Sequence, residues 1–193
     1  MGQPLAENQR EPAPILNIIG EKVALGPYRH ELIPLYLRWI NDFEVTRTLG
    51  IREQPSTLEA EEAWYERASR NENDPAFTIY ELATLRPIGN TSLMNVSHFH
   101  RTAEFGILIG EKDCWGKGYG TETTRLMLEF GFNALGLHNI MLTTYSFHER
   151  AQRAYRRAGF REIGRRRESV RLGGVAYDDV FMECLATEFA VVG

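Results

Sequence analysis

Eight consecutive residues, Trp115-Gly116-Lys117-Gly118-Tyr119-Gly120-Thr121-Glu122, have the composition of an anion-binding loop. Three glycines in alternation let the backbone turn tightly and aim its N–H groups into one concavity. The residues after them read as a helix of about 15 residues, a usual length in globular proteins. A helix starting there adds the positive end of its dipole. Such a concavity takes a phosphate or a pyrophosphate. An apolar strand-like segment, Glu104-Phe105-Gly106-Ile107-Leu108-Ile109, leads into it. The pattern is not the dinucleotide fingerprint, which is G-x-G-x-x-G with an acid about 20 residues on. Nor is it a P-loop, since no Gly-Lys-Ser/Thr closes the run. Taken alone, the glycines also suit a plain strand-to-helix turn.

A second segment reads His148-Glu149-Arg150-Ala151-Gln152-Arg153-Ala154-Tyr155-Arg156-Arg157-Ala158-Gly159-Phe160. Together with the loop it resembles the GNAT superfamily of acyl-CoA-dependent N-acetyltransferases. The first signature of that family, Q/R-x-x-G-x-G/A, stands here as Trp115-x-x-Gly118-x-Gly120. The second, N-x-x-A-x-x-x-Y-x-x-x-G-F, stands as His148, Ala151, Tyr155, Gly159 and Phe160, with His148 in the place of Asn. Within the superfamily the likeness is to the branch of ribosomal-protein N-terminal acetyltransferases and spermidine acetyltransferases. Trp39-Ile40-Asn41-Asp42-Phe43-Glu44-Val45, Trp115 ahead of Gly-Lys-Gly, and Tyr177-Asp178-Asp179 with Met182 carry that likeness. It extends from residue 21 to the C-terminus.

The resemblance implies transfer of an acetyl group from acetyl-CoA to a primary amine by direct attack in a ternary complex. The amine would be a protein N-terminus, a polyamine, an amino sugar or an antibiotic. Such a transfer needs a base, because an amine of pKa near 10 arrives as an ammonium. It needs N–H donors for the oxyanion and an acid for the departing thiolate. The resemblance assigns the acid to Tyr155, whose phenol has a reference pKa of about 10, close to an alkyl thiol. A tyrosine there, on a helix face with Ala151 and Gly159, also suits a core. The resemblance further implies that Ile107, Leu108 and Ile109 offer backbone groups to the pantetheine arm. The amides of Trp115, Gly116, Lys117, Gly118, Tyr119, Gly120 and Thr121 would hold the pyrophosphate. His148 can supply a ring N–H where the family has an Asn amide.

For the base the first choice is Glu104. Strand alternation puts it on one face with Gly106 and Leu108, opposite Phe105, Ile107 and Ile109. A carboxylate in solvent at the strand edge is the alternative, and Asp178 and Glu53 are held in reserve. Two other readings compete with the enzyme as a whole: a non-catalytic acyl-CoA sensor or interaction module, and a nucleotide-dependent enzyme.

The chain has 193 residues, 43% apolar and 25% charged, as in an ordinary globular domain. The expected organisation is a loose tail over residues 1–20 and a single domain over 21–193. Two cysteines, Cys114 and Cys184, are too few for a secreted disulfide framework and point to the cytoplasm. Cys114 beside the loop could carry an acyl group, but no base accompanies it, so a plain small residue is the better reading. No run approaches the roughly 18 apolar residues of a membrane span, and no signal peptide or myristoylation pattern opens the chain.

A net charge of −4 argues against nucleic acid as a partner. The charge is uneven. Nine arginines lie between Arg150 and Arg171, and seven acids against two arginines lie between Glu53 and Asp74. The basic stretch suits cofactor phosphates and the acidic one a cationic amine; both also suit solvated helix faces. His98 and His100 have no third partner, so no metal site is expected. A homodimer is common among resembling proteins.

Periodicity predicts a strand at 21–28 and a helix at 30–40 with Pro34 in its first turn. A capping box at Ser56-x-x-Glu59 opens a helix to about Ser69. A hairpin over 76–96 turns at Arg86-Pro87, and a strand covers 101–110. The glycine loop follows, then a helix to about Leu135 and a strand at 139–145. A second capping box, Ser146-x-x-Glu149, starts a helix ending near Gly159, and strands at 160–170 and 176–185 close the chain. The order implies an α/β fold with a mixed, mostly antiparallel central sheet of about seven strands flanked by helices.

Overall fold

The structure, a computed structural model, describes residues 13–50 and 54–189. Eight strands form one sheet: β1 Ile18–Ile19, β2 Val23–Gly26, β3 Ala76–Glu81, β4 Arg86–Ser97, β5 Thr102–Ile109, β6 Asn139–Tyr145, β7 Arg161–Leu172 and β8 Val175–Leu185. Their spatial order is β1-β2-β3-β4-β5-β6-β8-β7. Every neighbouring pair is antiparallel except β5 and β6. The strand beyond the expected seven is β1, two residues of the segment read as a loose tail.

Five helices flank the sheet: α1 Ile33–Ile40, α2 Phe43–Thr46, α3 Leu58–Ser69, α4 Tyr119–Glu129 and α5 Glu149–Ala158. Successive strand residues point to opposite faces. Phe77 packs edge-on against Phe130 just beyond α4, while its neighbour Thr78 bonds the Tyr36 hydroxyl of α1 at 2.6 Å. So α1 and α3 lie on one face and α4 and α5 on the other. The parallel β5–β6 pair needs a crossover, which α4 provides.

The largest gap in the sheet positions the site. β5 stays registered to β4 as far as Ile109, and β6 to β8 along its whole length. Yet β5 and β6 pair only over Thr102–Glu104 with Asn139–Met141. Beyond Glu104 the two strands part. Five residues of β5, about 17 Å at 3.3 Å per residue, have an open edge. Among the described residues no strand pairs with it.

Three local expectations are corrected by the structure. Thr57, not Ser56, caps α3 by accepting from the Ala60 N–H at 3.3 Å. Ser56 is tied instead through its backbone to the Asn41 amide. The second capping box does not form either: α5 starts after His148 without a side-chain cap, and Ser146 Oγ accepts from the Asp178 N–H at 3.0 Å. Finally, Arg86 and Pro87 lie inside β4, and the hairpin turns over residues 82–85. Tyr80 pairs with Pro87 beside a bulge, where a proline is tolerated in a ladder. The helix after the loop ends at Glu129 and continues as a π-helical turn, Phe130–Ala134.

Candidate active site

A cleft of about 560 Å³ opens where β5 and β6 part. One wall is the end of β5 (Ile107, Leu108, Ile109), and the floor is the glycine loop and the first turn of α4. The other wall is α5, and Glu44, Thr48 and Leu49 from α2 and the segment after it form the rim.

The loop turns at two glycines, not three. Gly116 (φ +78°) and Gly118 (φ +90°) are left-handed, while Gly120 lies within α4. Gly118 is the residue before the helix, so the first amides of α4 have no helical acceptor and face the concavity. An exposed set of ion pairs holds the approach to the loop. Lys112 bridges Asp42 at 2.8 Å and Glu44 at 2.9 Å, and Arg86 reaches Asp113 at 2.6 Å. Each is worth at most about 1 kcal/mol. At the β5 terminus, Gly110 has no room for a side chain, because a Cβ there would lie 2.2 Å from the Trp39 ring.

Trp115 joins the three parts of the cleft. Its indole N–H donates to the Ile109 carbonyl at 2.8 Å, and the Arg150 guanidinium lies 4.2 Å from its ring centroid. Strand, loop and α5 are thereby fixed together. The bond also settles which β5 groups remain. Gly110 N–H donates to Ile88 on β4, so by alternation Leu108 faces β4, whereas Ile107 and Ile109 face the gap. The Ile109 carbonyl is taken by Trp115, leaving its N–H and both groups of Ile107 on the open edge.

Tyr155 lines the cleft from α5, its ring edge-on to Phe105 at 6.2 Å and to Phe160 at 6.1 Å. Its hydroxyl makes no hydrogen bond among the described residues. Burial pushes its pKa up to about 12, so the phenol holds its proton at every physiological pH. Burial, with Arg150 second, pulls His148 down to about 4, so its imidazole is neutral and one ring nitrogen carries a hydrogen. Arg150, Arg153 and Arg157, spaced i, i+3, i+7 on α5, give the same wall a positive stripe.

Residues 22–161 match the family model of the GNAT acetyltransferase domain. That stretch is well over half of the chain. The chain belongs to the GNAT acetyltransferase family. Spermidine N(1)-acetyltransferase of Escherichia coli K12 is 36% identical over 72 residues, and the chain spans only 38% of that relative's length. The Vibrio cholerae spermidine N(1)-acetyltransferase is 28% identical over 147 residues, covering 75% of this chain and 83% of that one. Human alpha/beta-tubulin-N-acetyltransferase 9 is 27% identical over 162 residues, covering 76% and 75%. The crystal structure of spermidine N-acetyltransferase from Vibrio cholerae in complex with CoA and spermine superposes with a TM-score of 0.79 at 22% identity, over 86% of this chain and 97% of that one. At that identity it shows the shared fold.

Among the residues singled out from the GNAT signatures, Ile107, Leu108, Ile109, Trp115, Gly116, Gly118, Tyr119, Gly120, Thr121, His148 and Tyr155 all line the cleft, and Lys117 lies between two of them. Glu104 does not line it. It is half-buried on the sheet face away from α5 and accepts from the Asn95 amide at 3.3 Å. The space beside Gly106 is filled by the Met94 methyl, 2.9 Å from where a Cβ would stand. Asp178 accepts from the Glu168 N–H at 3.0 Å and so stabilises a β7 bulge where Glu168 is left-handed. Glu53 lies outside the described residues. Cys114 is buried beside Arg86, and burial raises its pKa, so it is held as a thiol.

Of the basic stretch read as suiting cofactor phosphates, Arg150, Arg153 and Arg157 of α5 line the cleft. Glu44, Thr48 and Leu49 also line it and were not anticipated from the sequence. None of the acids of α3 lines the cleft. Among the described residues there is no group of three metal-ligating side chains, and no helix is long and apolar enough to cross a membrane.

Proposed function

We propose that this chain transfers the acetyl group of acetyl-CoA directly to a primary amine of a polyamine-type acceptor. One observation carries the reading. A single cleft joins a left-handed glycine nest, an unpaired strand edge and a tyrosine hydroxyl with no other partner. These fit a pyrophosphate, an extended amide-bearing arm and a leaving sulfur in the order in which CoA presents them. The spermidine acetyltransferases among the relatives support the acceptor class.

Each group then has a defined task. The α4 amides and the loop bind the pyrophosphate. The Ile107 and Ile109 backbone pairs with the arm as an added strand would, and one of their N–H groups faces the thioester oxygen, where negative charge develops. Tyr155 donates its proton to the departing sulfur. A buried phenol near 12 is a weaker acid than a free one, but desolvation raises a thiol in the same way. Buried Cys184 is pushed up to about 11 in this protein. Burial thus moves acid and leaving thiol in the same direction. Tyr155 is on the α5 side of the gap and Glu104 on the other, at the point where β5 and β6 part. We assign to Glu104 the removal of the ammonium proton through a bridging water. Cys114, buried and protonated, takes no part, so no acyl-enzyme forms.

The experiment is the reaction itself. Mixed with acetyl-CoA and spermidine, the protein is expected to release CoA thiol and acetylated amine in equal amounts, read by thiol titration and mass spectrometry. Thiol release without acetylated amine, or neither product from a panel of amines, would refute the reading.

A further inference from the structure

Outside the acetyl-transfer cleft, the sheet face turned away from α5 carries a cluster with no assigned role. Tyr145 on β6 stands directly opposite Asp179 on β8, so both side chains lie on that face. Tyr177, two residues along β8, shares it. Phe147, in the turn between β6 and α5, covers the group. Its ring stacks on Tyr145 at 5.3 Å and 27° and meets Tyr177 at 4.8 Å and 60°. All four residues are half-buried.

The two neighbouring aspartates have different fates. The Asp178 carboxylate is occupied by the Glu168 N–H. Asp179 uses its backbone N–H on Ser169 Oγ at 2.9 Å, but no hydrogen bond or ion pair engages its carboxylate among the described residues. Arg166 is its cross-strand partner on β7 and forms no ion pair with it. A carboxylate with no hydrogen-bond or ion-pair partner, directly opposite Tyr145 and on one face with Tyr177, offers a place to a cation. An ammonium there gains both the carboxylate's charge and the negative faces of the rings. A neutral aliphatic tail gains neither.

The cluster also adjoins the cleft. A Cβ at Gly50 would stand 3.3 Å from the Tyr145 hydroxyl, and its neighbours Thr48 and Leu49 form the cleft rim. Phe147 precedes His148, which lines the cleft wall. An acceptor whose reacting nitrogen is at the gap can therefore extend a second nitrogen to the aromatic group.

We propose that Tyr145, Phe147, Tyr177 and Asp179 hold the second ammonium of the acceptor, so that the enzyme selects polyamines over monoamines. The inference rests on the acetyl-transfer reading and adds the residues that set its specificity. The test compares kcat/KM for spermidine and for butylamine in the parent, Asp179→Asn and Tyr177→Leu. The parent is expected to favour spermidine at least about tenfold. Asp179→Asn is expected to raise the KM for spermidine about tenfold while leaving kcat, the butylamine KM and acetyl-CoA affinity alone. Asp179→Glu, which keeps the charge, should recover part of the preference. An unchanged spermidine preference in both Asp179→Asn and Tyr177→Leu overturns the proposal, as does an equal fall in kcat for both amines. A parent that binds acetyl-CoA but turns over no amine overturns the acetyl-transfer reading beneath it, a result distinct from lost preference.

Discussion

Tyr155→Phe is expected to lower kcat about a hundredfold while acetyl-CoA affinity changes less than about twofold, the signature of an interaction made in the transition state. The substitution removes one oxygen. The ring contacts with Phe105 and Phe160 remain, so packing is kept. No described residue loses a hydrogen bond, because the hydroxyl makes none. In the proposed mechanism the only casualty is the proton for the leaving sulfur. The pH profile separates this role from others. Tyr155 sits at about 12 and His148 at about 4, so neither should produce a limb in kcat between pH 6 and 9. Any limb in that range belongs to another group. Unaltered kcat in the phenylalanine variant, measured at saturating acetyl-CoA, would remove Tyr155 from the mechanism.

The second large effect is at the nest. Gly118→Val is expected to weaken acetyl-CoA binding at least about a hundredfold, while Gly120→Ala changes it by less than about threefold. Gly118 has φ +90°, where an L-residue costs roughly 1–2 kcal/mol and a β-branched one is a true outlier. The strain is in the backbone, since the nearest neighbour of a Cβ there, Lys22 Nζ at 3.4 Å, is the end of a flexible side chain. Relaxing that strain rotates the amides away from the concavity, and the charge-assisted bonds to the pyrophosphate are lost together. Gly120, by contrast, is helical, and a Cβ there finds its nearest neighbour, Ile109 Cγ1, at 4.0 Å. Titration calorimetry on both variants, with thermal melts to confirm folding, reads the difference. Parent-like affinity in Gly118→Val would show that the loop is only a turn.

Much of this arrangement was legible in the residues because its causes are local. The alternation in Asn139–Tyr145 gives β6 with the bounds observed, and the glycines announce the turn before α4. What was not legible depends on contacts made across the fold. Ser146 has the right type and spacing for a helix cap, but the hydroxyl is claimed by Asp178 from another strand. Glu104 alternates onto the face expected, yet whether that face lines the cleft depends on where β5 and β6 part. That point is set by the registers of β4 and β8. Tyr177 lies far in sequence from Tyr145 and Phe147, and only the β6–β8 pairing brings it to them. The arginines of α5 were visible as charge, and became cleft residues only once Trp115 fixed the helix to the end of β5.

The acyl-CoA cleft itself is tested most directly by thermal stability measured in parallel with acetyl-CoA, CoA, NAD and ATP. A ligand that binds only the folded state adds about 2.7 kcal/mol at a hundredfold excess over Kd. Acetyl-CoA and CoA are expected to raise Tm clearly, and NAD and ATP to leave it near the value of the free protein. A rise with NAD or ATP, and none with either CoA species, would contradict an acyl-CoA site.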